Sequence, residues 1–442
     1  MPPNILFLFP DQWRWDWVGY LDRVPVRTPN LNRLADKGVV FTRAFSPAPV
    51  CAPCRACLAS GRRYDRNPVP SNRYHFPTDT VRTVYRELRD SGYHVMGCGK
   101  FDLRKATFDW GLDGRAWIDA YGFSDGIDNE GKYDGTISYQ QAPRGPKGPY
   151  LKALEEAGFA GAHVDDFNAR GREPTLTAPC PLPDDLYCDN WVGQRGLDLL
   201  SAAPAGKPWF LQVNFTGPHN PWDIPASLAN AYAGTSFPPA VGEGPHPPEA
   251  IQAVRENYSA MVTNLDRWVG RYLDVLEARG ERDNTVILFS SDHGEMLGDH
   301  GLWNKARPQQ ASSSVPLLIA GPGVRAGVRC DAAVDILDLP ATWLDWAAAP
   351  LPGDYDSRSL RPFLEQGEAL PRDHVTSALG GWRMVVEGSW KLVRNDKADT
   401  ACLYDLDTDC DDLHDLSTIK PGLKRDLEKR LPPIHPMLEQ EA

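Results

Sequence analysis

Five consecutive apolar residues, Ile5-Leu6-Phe7-Leu8-Phe9, run straight into Pro10-Asp11 and constrain the fold more than any other feature. The run is too short to span a bilayer and too uniformly apolar for a half-exposed strand, so it reads as a strand buried on both faces. Comparable runs recur at 209–214, 286–290 and 315–319, separated by helical segments. Strands of this kind predict an α/β fold, a large, mostly parallel sheet sandwiched by helices.

The intervening segments supply the helices. Thr28 as N-cap and Pro29 in the first turn predict a helix over 28–37. A second, over 81–91, is closed by Gly92 and leads into a short strand at 93–97. Residues 105–190 break the pattern with Gly, Pro, Asp and aromatics, as in Asp128-Asn129-Glu130-Gly131-Lys132-Tyr133, and are expected to form an irregular lid or surface excursion. From 374 onward, short strands at 384–386, 391–394 and 402–404 precede a helix near 421–431, which predicts a small antiparallel sheet with one helix. The expected organisation is therefore a large domain over 1–373, with 105–190 as its lid, and a C-terminal subdomain over 374–442. No internal repeat is apparent.

Composition narrows the function classes. A formal charge of −12 argues against a nucleic-acid partner, which needs a basic face. It leaves room for a small anionic substrate, because a few converging cations can set a local field against the net charge. The nine cysteines are odd in number, and Cys51, Cys54 and Cys57 crowd together without disulfide or zinc spacing. Met1-Pro2-Pro3-Asn4 carries no basic leader or cleavage site, so a cytoplasmic location and no membrane association are expected.

Three polar groups lie at or just beyond the ends of expected core strands: Asp11-Gln12, Cys51 through Arg55, and Asp292-His293-Gly294. Ligands of open α/β sheets bind outside the carboxyl ends of the strands, so these segments can converge on one pocket. Two carboxylates and an imidazole form a reasonable divalent-metal set. Turn capping by Asp11 or Asp292 is the plain alternative.

The segment Cys51-Ala52-Pro53-Cys54-Arg55-Ala56-Cys57-Leu58-Ala59-Ser60-Gly61-Arg62 adds a sharper signal. It resembles the CxPxR signature of the sulfatase family, formylglycine-dependent enzymes of the alkaline-phosphatase-like superfamily. Further stretches follow in family order: Gly99-Lys100, Pro218-His219-Asn220-Pro221, Ser291-Asp292-His293-Gly294, Gly298-Asp299-His300-Gly301 and Lys305. The resemblance implies that Cys51 is converted to formylglycine by a maturation enzyme, and that the hydrated aldehyde is the nucleophile. One hydroxyl attacks sulfur; loss of the second hydroxyl's proton then expels sulfate. It also implies a metal held by Asp11, Gln12, Asp292 and His293 with the residue at 51, and supporting roles for Arg55, Lys100, His219 and Lys305. Gln12, where many sulfatases carry an aspartate, together with His293 is similar to choline sulfatases and phosphonate monoester hydrolases. That pairing tilts the metal from Ca2+ toward Mn2+.

Two departures from the family pattern bear on substrate. Gly99-Lys100-Phe101-Asp102 stands where the family reads Gly-Lys-Trp-His, so Asp102 is expected either to act as a base, to bind a cationic part of the substrate, or only to pair with Lys100 or Arg104. Gln309-Gln310-Ala311-Ser312-Ser313-Ser314 replaces an acidic residue and an arginine, an expected change in the substrate-side wall. His300 is a weaker candidate, and His75 and His163 read as surface or lid residues. Trp13, Trp15 and Trp17 read chiefly as packing. The expected activity is hydrolysis of a sulfate monoester of a small organic molecule or sugar. A phosphodiesterase or phosphonate monoesterase with the same nucleophile is the alternative, and a non-catalytic homologue a more remote one. A homo-oligomer is compatible with the C-terminal strands.

Overall fold

In a computed structural model, which describes residues 2–172 and 175–439, eight strands form the central sheet. They are β1 (Asn4–Leu8), β2 (Gly38–Phe45), β3 (His94–Gly99), β4 (Asp125–Asp128), β5 (Trp209–Asn214), β6 (Thr285–Ser290), β7 (Ser314–Ala320) and β8 (Val328–Asp335), ordered β4-β3-β5-β1-β6-β7-β2-β8. Every pairing is parallel except those of β7 with β6 and β2. The mostly parallel sheet expected from the apolar runs is the observed one.

The alternation of side chains along β1 explains why it is apolar throughout. Leu6 and Leu8 enter one core, and Ile5, Phe7 and Phe9 enter the other. Strands β2, β4 and β8 escape the sequence pattern for identifiable reasons. β2 is interrupted by half-buried Thr42 and Arg43 near a register shift, β4 has four residues, and β8 is a half-exposed edge.

On the faces lie α1 (Pro29–Ala35), α2 (Cys51–Ser60) and α3 (Val84–Asp90). Thr28 occupies the N-cap position of α1 but does not cap it: its Oγ1 accepts from the Gly19 N–H at 2.8 Å and donates to Asn32. α3 starts later than expected because Thr83 does cap, accepting from the Arg86 N–H at 3.2 Å.

Among the described residues, 105–190 are partly helical rather than irregular throughout. They hold α4 (Ile118–Tyr121), α5 (Lys132–Gln140), α6 (Pro149–Glu156), α7 (Ala160–Arg172) and the start of α8 (Cys188–Ala202), with a small core of their own around Tyr150, Leu151, Leu154 and Tyr187. The helices were hidden because α4, α5 and α6 are short, α5, α7 and α8 are weakly amphipathic, and Gly and Pro punctuate the joints. The long α9 (Pro248–Ala278) then crosses the sheet face that holds Trp13 and Trp17. No helix of the described residues is long and apolar enough to cross a membrane.

The C-terminal sheet is antiparallel as expected, ordered β12-β11-β10-β9, from β9 (His374–Leu379), β10 (Trp382–Glu387), β11 (Trp390–Asn395) and β12 (Thr400–Asp405). Phe45, at the end of β2, shares an apolar cluster with Val375, Met384 and Val386, which fastens this sheet beside the carboxyl edge of the large one.

Candidate active site

The carboxyl ends of the parallel strands converge on one pocket. Asp11 follows β1, Cys51 follows β2, Lys100 follows β3, His219 follows β5, and Asp292 with His293 follows β6. The parallel neighbours β3 and β5 approach closely at their ends: a Cβ on Gly99, whose φ is +98°, would lie 2.0 Å from the Asn214 carbonyl oxygen. Only glycine fits there, and the Lys100 N–H donates to that same carbonyl at 3.0 Å.

Cys51 is the first residue of α2, directly after the extended Val50. Asn72 accepts from the Ala52 N–H at 3.1 Å and holds the helix start in place. The Cys51 Sγ lies 3.3 Å from His293 Nε2, and 3.7 Å from both Asp11 Oδ1 and Lys100 Nζ. Burial and the Asp11 carboxylate push the thiol up, but Lys100, Lys305 and His293 outweigh them and bring it down to about 6.

Asp11 is fully buried, which by itself raises its pKa, yet Lys100, Arg55 and His293 hold it well below the usual carboxylate range. Asp292 goes the other way, pushed up by burial and by the neighbouring Asp11 charge. Its Oδ1 accepts from the Gln12 and His293 N–H groups at 3.0 Å, and its Oδ2 from Arg55 Nε at 2.9 Å. His293 Nδ1 lies 3.0 Å from the Gly294 carbonyl and donates to it, leaving Nε2 turned to the carboxylates and Cys51.

Two carboxylates, an imidazole nitrogen and the sulfur lie within 4.8 Å of one another, all buried. This donor set fits a divalent cation, whose charge would relieve the repulsion that raises Asp292. Gln12 is deployed differently. It adopts a φ of +66°, its Oε1 accepts from Lys305 Nζ at 2.5 Å, and its Nε2 donates to Glu295 at 2.5 Å and Asn220 at 3.3 Å.

Arg55, one helical turn beyond Cys51, is buried between Asp292, the Lys100 carbonyl and Asn214. Lys305 Nζ also reaches His219 Nε2 at 2.5 Å, while His219 Nδ1 lies 2.5 Å from the Asn220 carbonyl. Burial and the Lys305 charge hold His219 well below its ordinary pKa, so it is neutral. Asp102, at a φ of +55°, pairs with Lys100 at 3.1 Å and Lys105 at 3.0 Å, and Lys105 continues to Asp134 at 2.5 Å. Arg104, the other expected partner of Asp102, pairs instead with Asp109.

The pocket above Cys51 has a volume of about 340 Å³. Part of its wall escaped sequence reasoning: Asn72, Lys105, Asn304 and, from the first turn of α5, Lys132, Tyr133 and Asp134. Glu295 was also missed, although it follows Asp292-His293-Gly294 directly and anchors Gln12. The segment 309–314 is not a wall of this pocket. It is buried beneath it, Ser312 accepting from the Gly294 N–H, and Lys391 fastens it to the C-terminal sheet. His300 turns away to the Asp411 carbonyl. His163 is buried in α7 and pushed down to about 4 by that burial. Trp13 and Trp17 are packed against Phe289, Phe237 and Tyr258, and Trp15 is buried beneath Arg23.

Residues 3–349 match the model of the family described as Sulfatase. The chain belongs to the sulfatase family. It is accordingly a sulfuric ester hydrolase of alkaline-phosphatase-like fold. Among curated sulfatase relatives it is 27% identical to an arylsulfatase of Clostridium perfringens over 85% of this chain and 81% of that one. It is 27% identical to a choline-sulfatase of Rhizobium meliloti over 92% and 81%. Among solved structures, the phosphonate monoester hydrolase of Agrobacterium radiobacter superposes with a TM-score of 0.81 at 22% identity, over 97% of this chain and 94% of that one. That likeness bears on the fold of this sulfatase-family chain alone.

Proposed function

We propose that the chain hydrolyses the sulfate monoester of a small organic molecule or sugar, with formylglycine made from Cys51 as nucleophile and one divalent cation held by Asp11, Gln12, Asp292 and His293. The observation that carries this reading is a pocket of about 340 Å³ with Cys51 in its lining and the Lys305–His219 pair beside it. The volume suits a single small substrate.

The hydrated aldehyde at position 51, made by a formylglycine-generating enzyme, supplies the attacking hydroxyl. A cation held there, Mn2+ ahead of Ca2+ because of the imidazole, would supply charge to lower that hydroxyl's pKa and polarise the sulfuryl oxygens. Gln12, whose Oε1 accepts from Lys305, would be the remaining residue to hold the ion. The chain's own residues do the remainder. Arg55 fixes Asp292 and the start of α2. Lys100 meets a sulfuryl oxygen. Lys305, the pocket lysine whose Nζ contacts are a neutral amide and a neutral imidazole, is the cation best placed for the charge on the leaving oxygen. Neutral His219 accepts a hydrogen bond from Lys305 and orients it.

Steady-state rates on matched aryl sulfate, phosphodiester and phosphonate substrates, measured on matured protein, test the proposal. A kcat/KM highest for the sulfate is expected. A large preference for either phosphorus ester would transfer the assignment to that class.

A further inference from the structure

Cys51-Ala52-Pro53-Cys54 is a C-x-x-C sequence at the first turn of a ten-residue helix that follows a strand of the central sheet. That is the setting in which paired cysteines act as a dithiol–disulfide couple rather than as structural bridges. Three observations fit it. The Cys51 sulfur lines the pocket, where a small disulfide that enters can meet it. Cys54 is fully buried one turn further on, beside the Ser46 hydroxyl that donates to the Asp292 carbonyl, so no reagent reaches it from solvent. Helix geometry puts Cα atoms three residues apart at about 5 Å, inside the range a disulfide spans.

We propose that, before conversion of Cys51, the chain forms a reversible Cys51–Cys54 disulfide by exchange with a small disulfide such as oxidised glutathione. The Cys51 thiolate attacks one sulfur of the small disulfide and releases the first thiolate. The Cys54 thiol then loses its proton and attacks the Cys51 sulfur of the mixed disulfide, releasing the second. Two protein thiols are oxidised, one small disulfide is reduced to two thiols, and the protons go to the departing thiolates. The bridge keeps position 51 from further oxidation and from conversion to the aldehyde until it is reduced. This inference rests on the proposed conversion of Cys51 to formylglycine, and is independent of which ester the matured enzyme hydrolyses.

Trypsin cleavage after Arg43, Arg55 and Arg62 separates the outcomes. The full chain, produced without maturation activity, is equilibrated with oxidised glutathione, denatured in the presence of an alkylating agent and digested. The expected peptide 44–55 is lighter by two hydrogens and carries neither alkyl group nor glutathione. With Cys54→Ser or Cys54→Ala, glutathione remains on Cys51. After oxidation, conversion of Cys51 by a formylglycine-generating enzyme is lost, and a reductant restores it. A wild-type peptide with two alkylated thiols, a lasting glutathione adduct on the wild type, or a bridge joining 44–55 to 56–62 through Cys57 would each overturn the proposal.

Discussion

Asp11, Cys51, Asp292 and His293 stand at the ends of β1, β2 and β6, whereas Lys132, Tyr133 and Asp134 stand on the first turn of α5, in the helical excursion. The first group is at most 1% exposed and bound into a closed set of charge pairs; Tyr133 is 49% exposed. The floor is thus preorganised by the sheet, and the rim is carried by an element with its own small core. Chemistry that needs fixed charge belongs to the floor, and selection among leaving groups belongs to the rim.

Substitutions that respect this division should differ by orders of magnitude. Cys51→Ala should lower kcat by about 10⁴-fold or more, with circular dichroism unchanged because alanine fits the site. Residual turnover near wild type would remove the floor from the chemistry. Asp292→Asn should weaken Mn2+ binding, measured by calorimetry, by more than the ~10–100-fold typical of an outer-shell partner. Lys305→Met should cost about 10²–10³ in kcat with little change in KM. A pure KM effect would move Lys305 from leaving-group stabilisation to ground-state binding.

At the rim, Tyr133→Ala should raise KM about 3- to 10-fold at constant kcat, an effect of ~1 kcal/mol. A large loss of kcat would break the comparison. Glu130 offers a test that involves no catalysis. Its Oε1 accepts from the Leu151 N–H at 2.8 Å and caps α6. Burial raises its pKa from 4.5 to about 7. A carboxyl raised on folding contributes stability that is complete below the unfolded value and is lost as pH rises through the folded one. Stability should therefore fall between pH 4.5 and about 7, by at most about 3 kcal/mol. Glu130→Gln should flatten that dependence in denaturant titrations.

The same division governs how much the sequence revealed. Floor residues follow apolar runs long enough to be read as strands, so the amino-acid order alone places Asp11, Asp292 and His293 at strand ends. Lys100, His219 and Lys305 were legible through the family resemblance. The rim was not legible, because α5 carries Gly135 and small polar residues with no apolar period, and its approach to Cys51 depends on how the excursion folds back. Segment 309–314 misled for a related reason: its position after Lys305 suggested a wall, but Lys391, from a distant strand, holds it beneath the pocket. Asp102 lies between the two zones, tied to Lys100 of the floor and through Lys105 to Asp134 of the rim.

The claim that the nucleophile derives from Cys51 is tested most directly by mass spectrometry of peptide 44–55 from active protein made in a host that matures sulfatases. The account predicts that the Cys51 thiol is replaced by an aldehyde or its hydrate, in a fraction that tracks specific activity. A fully active preparation with Cys51 present only as thiol would contradict it.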